Sequence, residues 1–338
     1  MGRLPSNIFA AACCILWGTS TMAADSCGNV GSPLSEVICA DSDARAAYAQ
    51  FMQSYKSALK RLSGEGQAIL KASQVQWDER VTATCIAFPE TLHKTLPGWQ
   101  SNPITCIRDE IDQRESFLDA QGRRIGGYLW QIVDLDLDLY CLNSDDDTAP
   151  NKFQLSWAWP RIDAPSSALT SQWNLVHALD RKKIEADVRS ADPCDGGGYS
   201  RHEIVPVYGQ GDFVNLLDSE TWSGVAHGME NATFSLELIS TNRHLRAEDF
   251  FRPGSGWQKF IADRLFREAG AKESENSHAS FEKYAGETER WIVDRRTLTY
   301  RFGPYELGGY LSTMSTTFTW KELRPYLRSN LPFHPDFK

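Results

Sequence analysis

The stretch WSGVAHGMENATFSLELISTNRHLRAEDFF, residues 222–251, decides how the chain is read. It divides into a strand, a small-residue turn at 224–228 and a second strand. In that second strand Ala232, Phe234, Leu236 and Leu238 alternate with Thr233, Ser235, Glu237 and Ile239, close to the period of two of a half-buried strand. Thr241, Asn242 and Arg243 turn the chain, and residues 245–251 lead towards a helix. Gly224 and Gly228 allow backbone angles and close approaches that a β-carbon would forbid, which displays His227 on a tight loop at a strand end. A hairpin followed by a helix predicts an α+β fold built on antiparallel pairing.

The flanking sequence extends that pattern. Downstream come a helix over 257–269 closed by Gly270, a polar, glutamate-rich mobile connection over 271–286, and strands at 291–293 and 298–302. A loop with Tyr305 and Tyr310, a last strand at 316–319 and a short helix at 321–327 complete it. Upstream, residues 128–142 read as a strand in which Leu135, Leu137 and Leu139 alternate with Asp134, Asp136 and Asp138. That acidic face reads as solvated; calcium binding is the competing interpretation. An acidic turn (143–150), a strand over 153–159 ended by Pro160, and a helix over 166–188 follow. Leu169, Trp173, Val176, Ile184 and Val188 fall on the inward side of that helix, and His177 reads as packed or surface. A strand pair at 202–208 and 212–217 leads back to the opening stretch. Residues 128–338 thus predict an α+β domain with a mainly antiparallel sheet and flanking helices.

Ahead of the glycine-bearing boundary at 122–127 lies an all-helical unit, residues 25–121. Tyr48, Phe51, Met52, Tyr55, Leu59 and Leu62 recur at helical spacing after a cap at Asp41 or Ser42. Residues 64–66 (GEG) break the helix; a second carries Ile69, Leu70, Trp77 and Val81, and a third Ile107, Ile111, Arg114 and Leu118. Gln74, Trp77 and Arg80 share one stripe of the second helix. Trp77 reads as core and Arg80 as bridging a nearby acid; the competing reading makes the stripe a contact surface.

The totals restrict function. The chain has 338 residues, 41% hydrophobic and 23% charged, enough for two domains with real cores. A net charge of −9 argues against nucleic acid and anionic membranes and favours a basic partner. Residues 1–24 read as an export signal: Arg3, an apolar run over 8–17 too short to span a bilayer, and Thr21-Met22-Ala23-Ala24 for cleavage. Cys13 and Cys14 leave with it, so a periplasmic or secreted product retains Cys27, Cys39, Cys85, Cys106, Cys141 and Cys194. An even number in an exported chain reads as disulfides, with Cys141–Cys194 paired; no zinc spacing occurs, and neither cofactor nor metal is expected.

Two halves of the chain resemble known families. The helical unit, with Cys27, Ile38-Cys39-Ala40-Asp41, Tyr55, Gln74-x-x-Trp77-x-x-Arg80, Cys85, Cys106-Ile107, Arg114 and Leu118, resembles the LprI-type lysozyme-inhibitor family. Tyr48 stands where that family has an aspartate and Ile111 where it has a tyrosine. In an antiparallel arrangement its four cysteines gather at one end; Cys27–Cys39 and Cys85–Cys106 are favoured among three possible pairings. The second half, with Ala226-His227 in a glycine loop, the strand and turn after it, and Leu298-Thr299-Tyr300-Arg301-Phe302-Gly303-Pro304-Tyr305-Glu306, resembles the extracytoplasmic domain of RsiV-like proteins, also found beside peptidoglycan deacetylases.

Both resemblances imply the same function: an exported, disulfide-bonded protein that binds lysozyme-type muramidases, as inhibitor or sensor, by occluding the sugar cleft. His227, Pro304, Tyr305, Glu306 and Tyr310 are the expected partner-binding residues, since tyrosine gives amphipathic contact area at small entropic cost. Two alternatives are carried. One is a peptidoglycan-acting enzyme or accessory module using His227 with a nearby carboxylate, Glu230 or Glu306. The other is a non-catalytic protein that binds wall glycan. No HExxH, G-x-S-x-G or phosphate loop occurs, so the chain is read as a binding protein.

Overall fold

A computed structural model describes residues 33–86, 102–141, 151–178, 198–223, 229–269, 278–303, 306 and 313–337. The fold is α+β. Among the described residues it opens with the α-helices α1 (Pro33–Ala40), α2 (Ser42–Arg61), α3 (Gly64–Val81) and α4 (Pro103–Ala120). Caps fix their starts. The Asp41 carboxylate accepts from the Asp43 and Ala44 N–H groups, Ser63 accepts from Gly66, and Asn102 accepts from Ile104 and Thr105. Phe51, Leu70, Trp77, Val81, Ile107, Ile111 and Leu118 form their shared core, with Phe51 stacked on Trp77 at 5.1 Å. Cys85 and Cys106 are joined by a disulfide across a separation of 21 residues. Cys39 is also disulfide-bonded. Cys27 and Cys194 lie outside the described residues, as does the side chain of Cys141, so the Cys27–Cys39 and Cys141–Cys194 pairings fall there too.

At Gly122 the chain passes into a seven-stranded sheet ordered β1 to β7: β1 (Arg123–Ile125), β2 (Tyr128–Cys141), β3 (Asn151–Asp163), β4 (Gly198–Gln210), β5 (Phe213–Ser223), β6 (Met229–Leu238) and β7 (Arg243–His244). Gly122 has φ +69°, and a β-carbon there would meet the Arg61 Cβ at 2.4 Å. The approach is functional for the fold, because Arg61 donates to the Leu118 and Gln121 carbonyls and so closes the end of α4. Neighbouring strands pair antiparallel except β3 and β4, which run parallel. The connection between those two contains α5 (Ala168–His177).

α5 corrects part of the sequence reading. Trp173 is fully buried, but Leu169 and Val176, expected inward, are each 53% exposed. The helix meets the sheet along a narrower line than its apolar pattern suggests: Trp173, His177 and Asn174. The Asn174 amide accepts from the Ile162 N–H at 2.8 Å and donates to the Ile162 carbonyl at 2.9 Å, where β3 has run beyond its pairing with β4. Ile184 and Val188 lie outside the described residues.

The remaining chain builds a second layer from α6 (Ala247–Phe250), α7 (Trp257–Glu268), α8 (His278–Ala285) and a three-stranded sheet. That sheet comprises β8 (Trp291–Val293), β9 (Thr297–Phe302) and β10 (Met314–Thr319), in the order β10-β9-β8, and is followed by α9 (Trp320–Leu323). The expected mobile connection over 271–286 is helical from His278 to Ala285, because Phe281 and Ala285 enter the core. That core is dense in aromatics: Phe213, Phe250, Phe251, Trp257, Trp291, Tyr300, Phe302, Phe318 and Trp320.

The helical unit lies against the first strands of the large sheet through a polar, largely buried contact. Arg114 donates to Asp134 at 2.6 Å and to Ser73, and Ser73 donates to Asp134 at 2.6 Å. Arg80 pairs with Glu110 and approaches Asp136 at 3.6 Å. The acidic face of β2 is therefore not solvated at Asp134 and Asp136: it is covered by α3 and α4, and burial pushes the Asp136 carboxyl up. At the other end Asp163 accepts from the Ser63 N–H and hydroxyl, both at 2.6 Å, and Gln131 donates to the Gly66 carbonyl. A β-carbon on Gly66 would meet that Asp163 carboxylate at 2.7–2.8 Å. Alanine normally stabilises a helix relative to glycine by about 1 kcal/mol. Here Gly66→Ala is expected to reverse the sign, destabilising by about 1–3 kcal/mol as the overpacked carboxylate loses its donors. A urea midpoint at or above that of the parent protein would rule out this close docking.

Candidate functional site

The two segments expected to carry partner contacts are flanked by strands of the two sheets that meet through one ion pair. Residues 224–228 connect β5 to β6 in sequence, and residues 303–313 connect β9 to β10. Glu230, in the first turn-proximal residues of β6, pairs with Arg301 near the end of β9 at 3.1 Å. This contact crosses from the large sheet to the small one. It brings together Glu230 and Arg301, the first three positions after His227 in the sequence and the second three before Pro304.

Glu306 anchors the second loop. Its carboxylate accepts from the Gly303 N–H at 2.5 Å and from Arg290 at 2.7 Å. Arg290 also pairs with Glu287 at 2.7 Å and lies over the rings of Tyr284 and Phe302, at 4.8 and 4.9 Å. Gly303 and Glu306 are thereby tied to each other directly. Of the expected partner-binding residues, the structure places Glu306 in this loop as an exposed anchor; His227, Pro304, Tyr305 and Tyr310 lie outside the described residues. Glu230 and Glu306, named as acid–base candidates, are each engaged by an arginine.

The motif stripe on α3 is placed elsewhere. Trp77 is buried against Phe51, and Gln74 donates to Asp78 and accepts from Arg114. Arg80 makes a bidentate contact with Glu110. All three serve the helical core and its seat on β2, so this stripe is an internal surface. Around it burial pushes the Asp78 carboxyl up, and it raises the Tyr48 hydroxyl to about 12.

A third cluster escaped the sequence reading. Glu237 on β6, expected to alternate outward, is buried beneath α5. One carboxylate oxygen accepts from the Trp173 indole N–H and faces His177, both at 3.0 Å. The other accepts from Ser235 at 2.8 Å and lies 3.5 Å from His244. The signal was present: Trp173 and His177 are four residues apart, so both ring nitrogens project from one helix face. Burial alone would raise this carboxyl, but hydrogen bonds and charge from His177, with Ser235 and Trp173, hold it below its ordinary value of 4.5. A lowered carboxylate stabilises the fold above its unfolded pKa, and that contribution is lost as pH falls through the folded one. The stability difference between the parent protein and Glu237→Gln is therefore expected to be greatest above about pH 5, shrinking as the solution is acidified. Equal differences at neutral and strongly acid pH, in urea titrations, would contradict that assignment.

Among the described residues no group of three or more His, Cys, Asp or Glu side chains is arranged to hold a metal ion, and no helix is long and apolar enough to cross a membrane. No protein-family model and no curated protein matches the chain. Solved structures are similar to it in part, two of them as follows. One is a member of the DUF3298 family from Bacteroides fragilis, at TM-score 0.45 and 13% identity over 60% of this chain and 95% of that one. The other is a DUF3298 family protein from Pseudomonas aeruginosa, at TM-score 0.39 and 14% identity over 61% of this chain and 96% of that one.

Proposed function

We propose that this is an exported envelope protein that binds lysozyme-type muramidases, as inhibitor or sensor, through the edge where the 224–228 and 303–313 segments begin. The observation that supports this most directly is the Arg301–Glu230 pair, which joins two segments otherwise separated by more than seventy residues. The LprI-type and RsiV-like resemblances supply the partner class, and the net charge of −9 suits a basic enzyme. The stripe Gln74, Trp77 and Arg80 is engaged internally, which supports a contact through the C-terminal half. In this reading residues 1–24 are removed on export and the helical unit, 25–121, acts as a stapled support.

Calorimetric titration of the mature protein against a c-type lysozyme, with lysis followed in parallel, tests the proposal. Micromolar or tighter binding is expected, and Tyr305→Ala is expected to weaken it by about thirtyfold, the scale of an aromatic hot spot near 2 kcal/mol. Binding without loss of lysis identifies a sensor. Absence of heat with lysozyme together with binding of muropeptides would replace this reading by wall-glycan recognition.

A further inference from the structure

The two sheets have four edge strands, and they are finished differently. β1 and β7 are three and two residues long and carry Arg123, Arg124, Arg243 and His244, so they are short and polar or charged. β8 is three residues long, and the buried Asn215 amide of β5 donates to its Trp291 and Val293 carbonyls, each at 3.4 Å. Each device is a recognised way of closing a sheet edge. β10 has none of them. Its six residues, MSTTFT, include no charged side chain, no proline and no glycine, and β9 is its only strand neighbour among the described residues.

The register shows which backbone groups face outward. The Trp320 N–H donates to the Arg296 carbonyl at 3.2 Å, continuing the β10–β9 ladder in which Phe318 faces Leu298 and Thr316 faces Tyr300. Hydrogen-bonded pairs alternate along an antiparallel ladder, so Thr316 and Phe318 direct their backbone groups to β9. Ser315, Thr317 and Thr319 direct theirs away from it. At Thr319 the outward N–H is met by the Glu322 carboxylate at 2.8 Å. The side chains of Ser315 and Thr317 are exposed, while Thr316 and Phe318 point into the core, so the strand is held rigidly from beneath.

We infer that β10 is a strand-addition site, which takes an extended segment of a partner protein by backbone hydrogen bonds to Ser315 and Thr317. This rests on the reading of the chain as a protein-binding molecule and deepens it, because β10 follows directly on the loop anchored by Glu306. A partner seated at the Glu230–Arg301 edge continues onto it. A second copy is the poorer occupant. A strand of six residues is only about 20 Å long, so a contact confined to it buries much less than the roughly 800 Å² per partner of a stable dimer, and two chains of charge −9 repel.

The test uses the intact mature protein and Ser315→Pro, which removes an outward N–H without touching the β9 ladder. Amide exchange is read first: Thr316 and Phe318 should be protected in both proteins, and Ser315 and Thr317 unprotected in the free parent. A library of linear heptapeptides is then selected on the parent protein. Selected peptides should protect Ser315 and Thr317 and lose at least tenfold in affinity for Ser315→Pro. Prior protection of those two amides, or peptides that bind both proteins equally, would overturn the inference. So would failure to select any peptide, or a dimer in sedimentation that Ser315→Pro dissociates, which assigns the edge to a second copy. A c-type lysozyme run beside the peptides separates the two readings. Peptide binding at β10 without lysozyme binding removes the muramidase proposal alone. Lysozyme binding that ignores Ser315→Pro removes the strand-addition site alone.

Discussion

Replacing Arg114 by alanine is expected to cost about 3–5 kcal/mol of stability, the scale on which one partner of a buried ion pair is lost. Arg114 is 4% exposed, and its guanidinium makes three polar contacts: Asp134 at 2.6 Å, Ser73, and Gln74 at 3.4 Å. It also lies 4.2 Å over the Phe117 ring. Truncation leaves the Asp134 carboxylate beneath two helices with the Ser73 hydroxyl as its remaining donor among the described contacts. Net desolvation, rather than lost attraction, sets the size of the effect. The double variant Arg114→Met with Asp134→Leu should recover most of the loss, because it removes both charges and keeps apolar volume. Urea unfolding of the parent protein, Arg114→Met, Asp134→Leu and the double variant measures the coupling. A single-variant cost under about 1 kcal/mol would mean that water reaches this contact and that the helical unit sits loosely on the sheet.

The same contact shows what the sequence could and could not reveal. The antiparallel character of β6 was legible in Phe234, Leu236 and Leu238, because one face of a strand at the core must alternate. The Asp134–Asp136 stripe was equally regular, yet regularity does not distinguish water from a second protein layer. Only the complement decides, and it sits on α3 and α4 as Arg80, Ser73 and Arg114. The α5 pattern failed for a related reason. Leu169 and Val176 extend the apolar stripe of Trp173, but the sheet is reached only where Asn174 and Trp173 find partners on Ile162 and Glu237. The parallel pairing of β3 with β4 needs a crossover, and the long 128–142 and 153–159 strands gave no sign of where the chain would re-enter. At the candidate edge the loops could be named from their glycines and tyrosines and from the RsiV-like resemblance. That they start side by side depends on Glu230 meeting Arg301 across two sheets, which no local pattern records.

Trp291→Ala carries the second large expectation, about 3–5 kcal/mol, as for other large-to-small changes at a buried aromatic. Trp291 is fully buried at the junction of the two layers. Its ring lies 5.6 Å from Phe250, 5.8 Å from Phe251, 6.4 Å from Trp257 and 5.8 Å from Tyr300. These neighbours come from α6, the residue after it, α7 and β9, so no single segment can move to fill the space. Trp291→Phe keeps most of the volume and should cost less than half as much. The change also has a predicted functional signature. β8 is hydrogen-bonded to β9, and β9 carries Arg301 and leads to the Glu306 loop and β10. Loosening the Trp291 contacts should therefore expose the amides of Thr316 and Phe318 to exchange and weaken any partner seated at that edge. Among the described residues the helical core around Phe51 and Trp77 is a cluster separate from this junction, and its amide protection should be unchanged at temperatures where Trp291→Ala remains folded. Equal loss of protection in both regions would show instead that the two cores unfold as one unit, and would place the cooperativity in the Arg114–Asp134 contact that joins them.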